Sequence, residues 1–268
     1  MRTTGNAIPT NRRPEKISAV VITLNEACNI GRCLASLKGI ADEAIVVDGG
    51  SRDCTRDIAA ACGATVILRP FNGFSAQKNY GIREASFEKI LSLDADEALS
   101  ERLKASILQV KQYWRKDAYL INRLTSFEGK WIRHGEWYPD RSIRLFDREK
   151  ACWEGDLHER IRLDKNTSTG RLEGCLLHYS YRSRFHFYRK TSLYTTIAAE
   201  ILYRKQFKPG LYHFFLKPGY RFFHAFVIRL GFLDGKAGWQ IAKLTAGRMR
   251  VQYAKLERLW EENQRREK

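Results

Sequence analysis

Two aspartates one residue apart, Asp94 and Asp96 in the run LSLDADE, close an apolar stretch of this sequence. If that stretch is a strand continuing through them, side chains at i and i+2 share a face. Carboxylates held that close repel unless a proton or a cation lies between them. A hard divalent ion such as Mg²⁺ or Mn²⁺, its shell completed by diphosphate oxygens, suits the pair. The alternative reading of the same residues is an acidic turn, with Glu97 and Glu101 at the positive end of the next helix.

Two more polar clusters follow apolar runs. Thr23, Asn25 and Glu26 lie just beyond the first, and Asp48 ends the second, followed by Gly49, Gly50 and Ser51. In open α/β sheets ligands bind outside the carboxyl ends of the strands. Glycines there permit close backbone approach, and the next helix offers free N–H groups. Neither GxGxxG nor GxxxxGK[ST] occurs, so the sequence supports neither a dinucleotide-binding turn nor a P-loop.

These residues need a scaffold that brings several strand ends to one edge. Short apolar runs at residues 17–24, 44–48, 65–68 and 89–94 read as buried strands. Between them, Ile30, Cys33, Leu34 and Leu37 follow helical spacing, as do Cys54, Ile58, Ala61 and Cys62, with Ser51 as N-cap and Gly63 as stop. Further helices are expected over residues 75–85 and from Ser100 to about 113. This alternation predicts an α/β fold with a mostly parallel, Rossmann-like sheet flanked by helices. Strands are expected again at 118–122, 143–146 and 172–179, with a loop over 127–144. The pattern is helical from 184 onward and ends in a charged helix over 249–268. The expected organisation is a leader at 1–16, a catalytic-type domain at 17–181 and a helical, basic region at 182–268.

The stretches ITLNEACNIGRCLASL, EAIVVDGGSRDCT, RPFNGFSAQKNYGI and ILSLDADE, in that order, resemble the family 2 glycosyltransferases of GT-A fold. Within them the sequence is most similar to the branch that glucosylates inner-core heptose of lipopolysaccharide. That branch carries stretches like GKWIRHGEWYPDRSIRLFDR, a later HE pair, LLHYSY and GFLDGKAGW, so the resemblance runs from residue 17 to about 255. It implies an inverting, metal-dependent enzyme using Mg²⁺ or Mn²⁺, a UDP-sugar donor and a lipid-anchored glycan acceptor. Thr23, Asn25 and Glu26 are implied to line the nucleotide pocket, and Asp48 to bond uracil or ribose. Gln77, Lys78 and Asn79 are implied near the nucleotide and donor sugar. Asp94 is implied to orient ribose or sugar, and Asp96 to be the main metal contact. Gly50 and Arg52 in DGGSRD depart from the commoner D-S-G-S-T-D and leave Asp48 in place.

Such a transferase needs a base opposite the leaving diphosphate. Glu159 is the first candidate, Asp156 the second, and His158 an orienting or acceptor-binding partner; pairing of Glu159 with Arg141, Arg144 or Arg160 is the structural alternative. In the 127–144 loop, Trp131, His134, Trp137, Tyr138, Asp140, Arg141 and Arg144 combine aromatic faces for sugar rings with guanidinium groups for phosphate. The same residues could instead pin the loop to the sheet.

The net charge is +17, and residues 182–268 hold 19 Lys/Arg against 6 Asp/Glu with 17 of the 32 aromatics. That concentration suggests an anionic partner, with a solvated helix face as the plainer alternative. Phe214, Phe215, Lys217, Tyr220, Arg221, Phe222, Phe223, Phe226 and Arg229 interleave in the pattern of a helix lying on an anionic membrane surface. Nucleic acid is not expected, since no helix-turn-helix, RRM or zinc module is visible. The residues around 211–232 are interrupted by Lys217, Pro218, Arg221 and Arg229, so no spanning helix is expected, and the polar start has no apolar signal core. A cytoplasmic protein, peripheral on the inner face of the inner membrane, is the expectation. Cys28, Cys33, Cys54 and Cys62 are expected to be small buried hydrophobes in a reducing compartment. Polyprenyl phosphate, or another cell-surface glycan or protein, is the alternative acceptor.

Overall fold

A computed structural model describes residues 13–155, 159–181 and 184–266. The chain divides into two compact units. One takes the residues up to Arg123 together with Arg141–His178; the other takes Leu124–Asp140 and everything from Tyr179 onward.

The first unit begins as the apolar runs dictate. Strands β1 (Ile17–Thr23), β2 (Glu43–Asp48), β3 (Thr65–Leu68) and β4 (Lys89–Asp94) are parallel. All seven residues of β1 are buried, because both faces of the sheet are covered. Ile17, Ala19 and Val21 pack with Leu91, Leu93 and Val46 on one face, while Val20 and Ile22 join Ile45, Val47 and Ile90 on the other. The first face receives Ile30, Cys33, Leu34 and Leu37 of helix α1 (Ala27–Leu37), as their spacing predicts. It also receives Leu103 and Ile107 of helix α4 (Glu101–Gln112), whose N-cap Ser100 accepts from the Leu103 N–H at 3.3 Å. Helix α2 (Thr55–Ala61) precedes β3 and helix α3 (Phe74–Glu84) follows it. α3 lies so close to the sheet that a Cβ on Gly81 would stand 2.5 Å from Val20 Cγ1 and 2.9 Å from Val47 Cγ2. That close approach brings Gln77 and Lys78 of the same helix into the interior.

Beyond β4 the sheet becomes mixed. β4 ends at Asp94, residues 95–96 turn, and a three-residue strand β5 (Glu97–Leu99) follows. With β6 (Ala118–Phe127), β7 (Lys130–Trp131), β8 (Asp140–Asp147) and β11 (Thr169–Tyr181), the order is β3-β2-β1-β4-β8-β6-β11-β5. β8 runs antiparallel to β4, and β5 antiparallel to β11. A separate antiparallel ribbon joins β9 (Ala151–Glu154) to β10 (Arg160–Leu163).

In the second unit β7 folds back on the far end of β6, and a 3₁₀ turn spans Gly135–Trp137. Phe127, Ile132 and Phe187 of helix α5 (Arg184–Arg204) form a core with Ala237, Ile241 and Leu244 of helix α8 (Lys236–Arg266). Helices α6 (Leu211–Phe214) and α7 (Leu216–Phe223), then a π turn at His224–Ile228, complete the unit. Among the described residues no helix is long and apolar enough to cross a membrane.

Several local expectations need correction. Ser51 does not cap α2, which starts after Cys54; its side chain serves the loop after β2 instead. Of the four cysteines expected to be buried, only Cys33 is; Cys28 is exposed on α1, and Cys54 and Cys62 are exposed at the two ends of α2, just outside the helix. The 127–144 segment is not one loop, since β8 already begins at Asp140. The last helix starts at Lys236 rather than near 249, running through Gly238 and Gly247.

Candidate functional site

The carboxyl ends of β1 and β2 are tied into one polar edge. Asn25, in the left-handed region at φ 55°, accepts from the Arg52 N–H at 2.8 Å, and its own N–H donates to Ser51 Oγ at 2.8 Å. The Glu26 N–H donates to Thr55 Oγ1 at 2.8 Å, while the Glu26 carboxylate accepts from Asn29 at 2.6 Å. Asp48 is fully buried and accepts from the Gly50 N–H (3.0 Å), the Ser51 N–H (2.8 Å) and the Ser51 hydroxyl. Its carboxylate therefore fixes the backbone of its own loop. Two buried atoms at this edge, Thr23 Oγ1 and Gln77 Oε1, have no hydrogen-bond partner among the described residues. Gln77 gives its amide N–H to the Arg69 carbonyl at 2.9 Å.

Asp94, at the end of β4, opens a chain of alternating charges. The buried Lys78 ammonium lies 3.1 Å from Asp94 Oδ1 and 3.0 Å from Glu159 Oε1. It also sits 4.1 Å from the centre of the Trp153 ring. Asp94 Oδ2 lies 3.6 Å from Arg144, whose guanidinium donates to Glu97 Oε1 at 3.0 Å; Arg123 reaches the same Glu97 oxygen at 3.7 Å. Burial pushes the Asp94 carboxyl upward, but Lys78 and Arg144 override it and hold Asp94 well below the usual carboxylate range. Burial likewise opposes the charge on Arg144, and Glu97 and Asp94 more than restore it. The Cys33 thiol is raised by burial first, then by Glu97, Asp96 and Asp94.

The turn at residues 95–96 separates the two aspartates that a continuous strand would have placed on one face. Asp94 faces cations; Asp96 instead lies 3.3 Å from His178 Nε2, on β11. Both partners are nearly buried, and β11 holds His178 directly opposite Glu97 in the β5 register. A carboxylate oxygen beside an imidazole nitrogen is a donor set that fits a divalent metal, with Asp96 as the expected ligand and His178 as its companion. Among the described residues no three His, Cys, Asp or Glu side chains gather as a metal site.

Other expected site residues have different employment. The Asn79 amide brackets the Trp153 backbone, donating to the carbonyl at 2.8 Å and accepting from the N–H at 3.0 Å. Arg144 is no loop cation but a buried residue of β8. Arg141 is exposed and donates to Asn122 at 3.2 Å. Asp156 and His158 lie outside the described residues. In the second unit Asp234 is buried and gathers the 133–134 backbone, accepting from the His134 N–H at 2.8 Å and meeting its ring at 3.1 Å. Trp137 packs on Phe127, Tyr181 and Phe187, and Trp131 stands edge-on to Tyr179. Asp140 opens β8.

Glu97, Arg123, Trp153, His178 and Asp234 were missed as members of these clusters. The HE pair is close in sequence, whereas Glu97, Arg123 and His178 come near the site only through the sheet order, Trp153 through the β9–β10 ribbon, and Asp234 belongs to the second unit. Charged residues inside otherwise apolar strands, such as Arg144 and Glu97, were the available signal.

The sequence model described as glycosyl transferase family 2 matches residues 18–166. An uncharacterized glycosyltransferase of Rickettsia bellii (strain RML369-C) is 31% identical over 91% of this chain and 87% of its own. The lipopolysaccharide core biosynthesis glycosyltransferase LpsC of Rhizobium meliloti (strain 1021) is 26% identical over 89% and 93%, respectively. Among solved structures, glucosyl-3-phosphoglycerate synthase from Mycobacterium tuberculosis, in complex with Mn²⁺, UDP and glucosyl-3-phosphoglycerate, aligns at 22% identity with a TM-score of 0.35. The alignment covers 42% of this chain and 44% of that one, so less than half of either is compared. With more than half of its length matched by the family's sequence model, and near-full-length relatives above 30% identity, this chain belongs to glycosyltransferase family 2.

Proposed function

We propose that this enzyme transfers a hexose, glucose first among the candidates, from a UDP-sugar to a heptose hydroxyl of a lipopolysaccharide core. It would work with Mg²⁺ or Mn²⁺ at the cytoplasmic face of the membrane that holds the acceptor. The observation that carries the reading is the charge chain Glu159–Lys78–Asp94 at a strand end, with Asp96 and His178 across the adjoining turn. The likeness to LpsC supports the choice of acceptor class.

In this reading the loops after β1 and β2 cradle the nucleotide. Thr23 Oγ1 and Gln77 Oε1, both lacking partners, supply hydrogen bonds, and Asn25 and Glu26 hold the cradle's shape. Asp48 acts through the Gly50–Ser51 backbone it fixes. Asp96 and His178 hold the metal, which when bound supplies positive charge to the departing diphosphate. Asp94 orients the donor while its charge is kept by Lys78 and Arg144. Glu159 takes the proton of the attacking hydroxyl; Lys78 fixes Oε1, so Oε2 is the oxygen that receives it. Trp131 and His134 remain the acceptor-loop residues, the second fixed by Asp234.

Calorimetric titration with UDP and UDP-glucose, in Mn²⁺ or Mg²⁺ and then in EDTA, tests the donor half. UDP binding should require metal and vanish in Asp96→Ala. Equal binding in EDTA, or none under any metal condition, overturns the assignment. Transfer to a short polyprenyl phosphate rather than to heptosylated lipid A would overturn the acceptor class alone.

A further inference from the structure

The segment from α6 to the start of α8 has apolar residues on two sides. On the inner side, Phe222 and Phe226 pack edge-on against Trp239 at 4.8 and 5.3 Å, and Pro218 and Ala225 are buried. On the other side Leu216, Tyr220, Phe223 and Val227 follow i, i+4, i+7 and i+11, one stripe of a helix. They are 67%, 65%, 50% and 39% exposed. Leu230 and Phe232 extend the exposed patch beyond the π turn. The first side is half-buried against the chain's own Trp239, whereas the chain's own packing leaves the second uncovered. An exposed apolar stripe of this extent marks a binding surface.

The surrounding charge indicates what covers it. Between Lys205 and Lys255 the sequence has ten Lys/Arg and a single acid, Asp234. Asp234 is buried and committed to His134, so it does not offset those cations at the surface. Of the nearest bases, Lys217 donates to Tyr253 at 2.7 Å and Arg221 pairs with Glu136 at 3.0 Å. Arg229 and Lys236, flanking the patch, are exposed. Aromatic and aliphatic side chains flanked by the exposed Arg229 and Lys236, with the neighbouring acids Glu136 and Asp234 little exposed and, among the described residues, no helix able to span, match the interface of an anionic bilayer.

We propose that the stripe Leu216–Tyr220–Phe223–Val227 inserts into the headgroup layer of an anionic membrane, with Arg229 and Lys236 on its phosphates. The proposal deepens the membrane location given above and rests on that reading only for which membrane is meant. Aromatics expected to face lipid, Phe222 and Phe226, face the protein instead, and Leu216 and Val227 take their place.

Flotation of the full chain with vesicles of phosphatidylglycerol and phosphatidylethanolamine, against vesicles of phosphatidylcholine, tests it. The wild type should float with the anionic vesicles at low salt. The exposed-site triple variant Leu216→Ser, Tyr220→Ser, Phe223→Ser should bind about tenfold more weakly or worse, with unchanged circular dichroism and UDP binding. Arg229→Glu with Lys236→Glu should weaken anionic binding selectively. Wild-type protein left unbound at low salt, or triple-variant binding equal to wild type, overturns the proposal. So does sedimentation as a dimer that the triple variant dissolves without loss of vesicle binding. Failure of UDP binding alone, with flotation intact, removes the donor assignment and leaves this surface standing.

Discussion

Replacing Lys78 with Met keeps most of the stem's volume and removes the charge between Asp94 and Glu159. The ammonium is 1% exposed, at 3.1 and 3.0 Å from its two partners, which are themselves 26% and 21% exposed. Removing one member of a buried ion pair costs about 3 to 5 kcal/mol, because the other is left uncompensated. The residual exposure of both carboxylates argues for the lower end, about 3 kcal/mol. For a chain of this size that corresponds to a fall of roughly 6 to 12 °C in Tm. The loss should also depend on pH. Asp94 is pushed up by burial and pulled further down by Lys78 and Arg144, so its folded pKa lies below its unfolded one. The stability it contributes is present above about pH 4 and lost as pH falls through the folded value. In Lys78→Met the Asp94 pKa rises, the carboxylate takes a proton sooner, and the penalty shrinks. Urea denaturation of both proteins at pH 7.5 and at pH 4 measures this: the gap should be wide at the first and narrower at the second. A variant within about 1 kcal/mol of wild type at neutral pH, or a gap that widens in acid, would refute the ion-pair account.

Glu159→Gln should lower kcat by about 10²- to 10⁴-fold, the range for a lost general base, while leaving metal-dependent UDP affinity unchanged; turnover within a few-fold of wild type would remove Glu159 from that role. Gly81→Ala should destabilise the protein by about 1 to 3 kcal/mol through overpacking, since its Cβ meets Val20 and Val47 in the sheet. Thermal melting checks this, and an unchanged Tm would show that α3 can retreat from the sheet without cost.

The parallel half of the fold was legible because its strands are buried on both faces. That condition writes a continuous apolar run, and β1 to β4 fall where those runs predict. β5, β9 and β10 were not legible. Three or four residues are too few to show a period, and β5 exists only because β11 pairs with it. The same shortness left two readings of residues 94–96, a strand continued through Asp96 and an acidic turn, and the structure has the turn. The last helix was expected only over 249–268, yet it begins at Lys236 and runs through Gly238. In the structure that glycine is a point of contact, where an added Cβ would lie 1.8 Å from the Gly231 carbonyl.

At the site, residue types were legible and partnerships were not. Lys78 was expected at the donor and Glu159 as the base, with an arginine partner as its alternative; they meet each other because the β9–β10 ribbon comes back over α3. Arg144 was placed in a loop, yet β8 lies next to β4 and carries it to Asp94 and Glu97. That arrangement bears on chemistry. Asp94, Glu97 and Glu159 meet Lys78, Arg123 and Arg144, so the network balances its own charge. Arg56 stands 4.0 Å from Asp48, and Arg69 donates to the Ala76 carbonyl. A diphosphate brought to this edge therefore finds the network's cations already spent on carboxylates. In the proposed reaction an added ion would meet that charge, and Asp96 beside His178 is a described pair whose donor chemistry fits one.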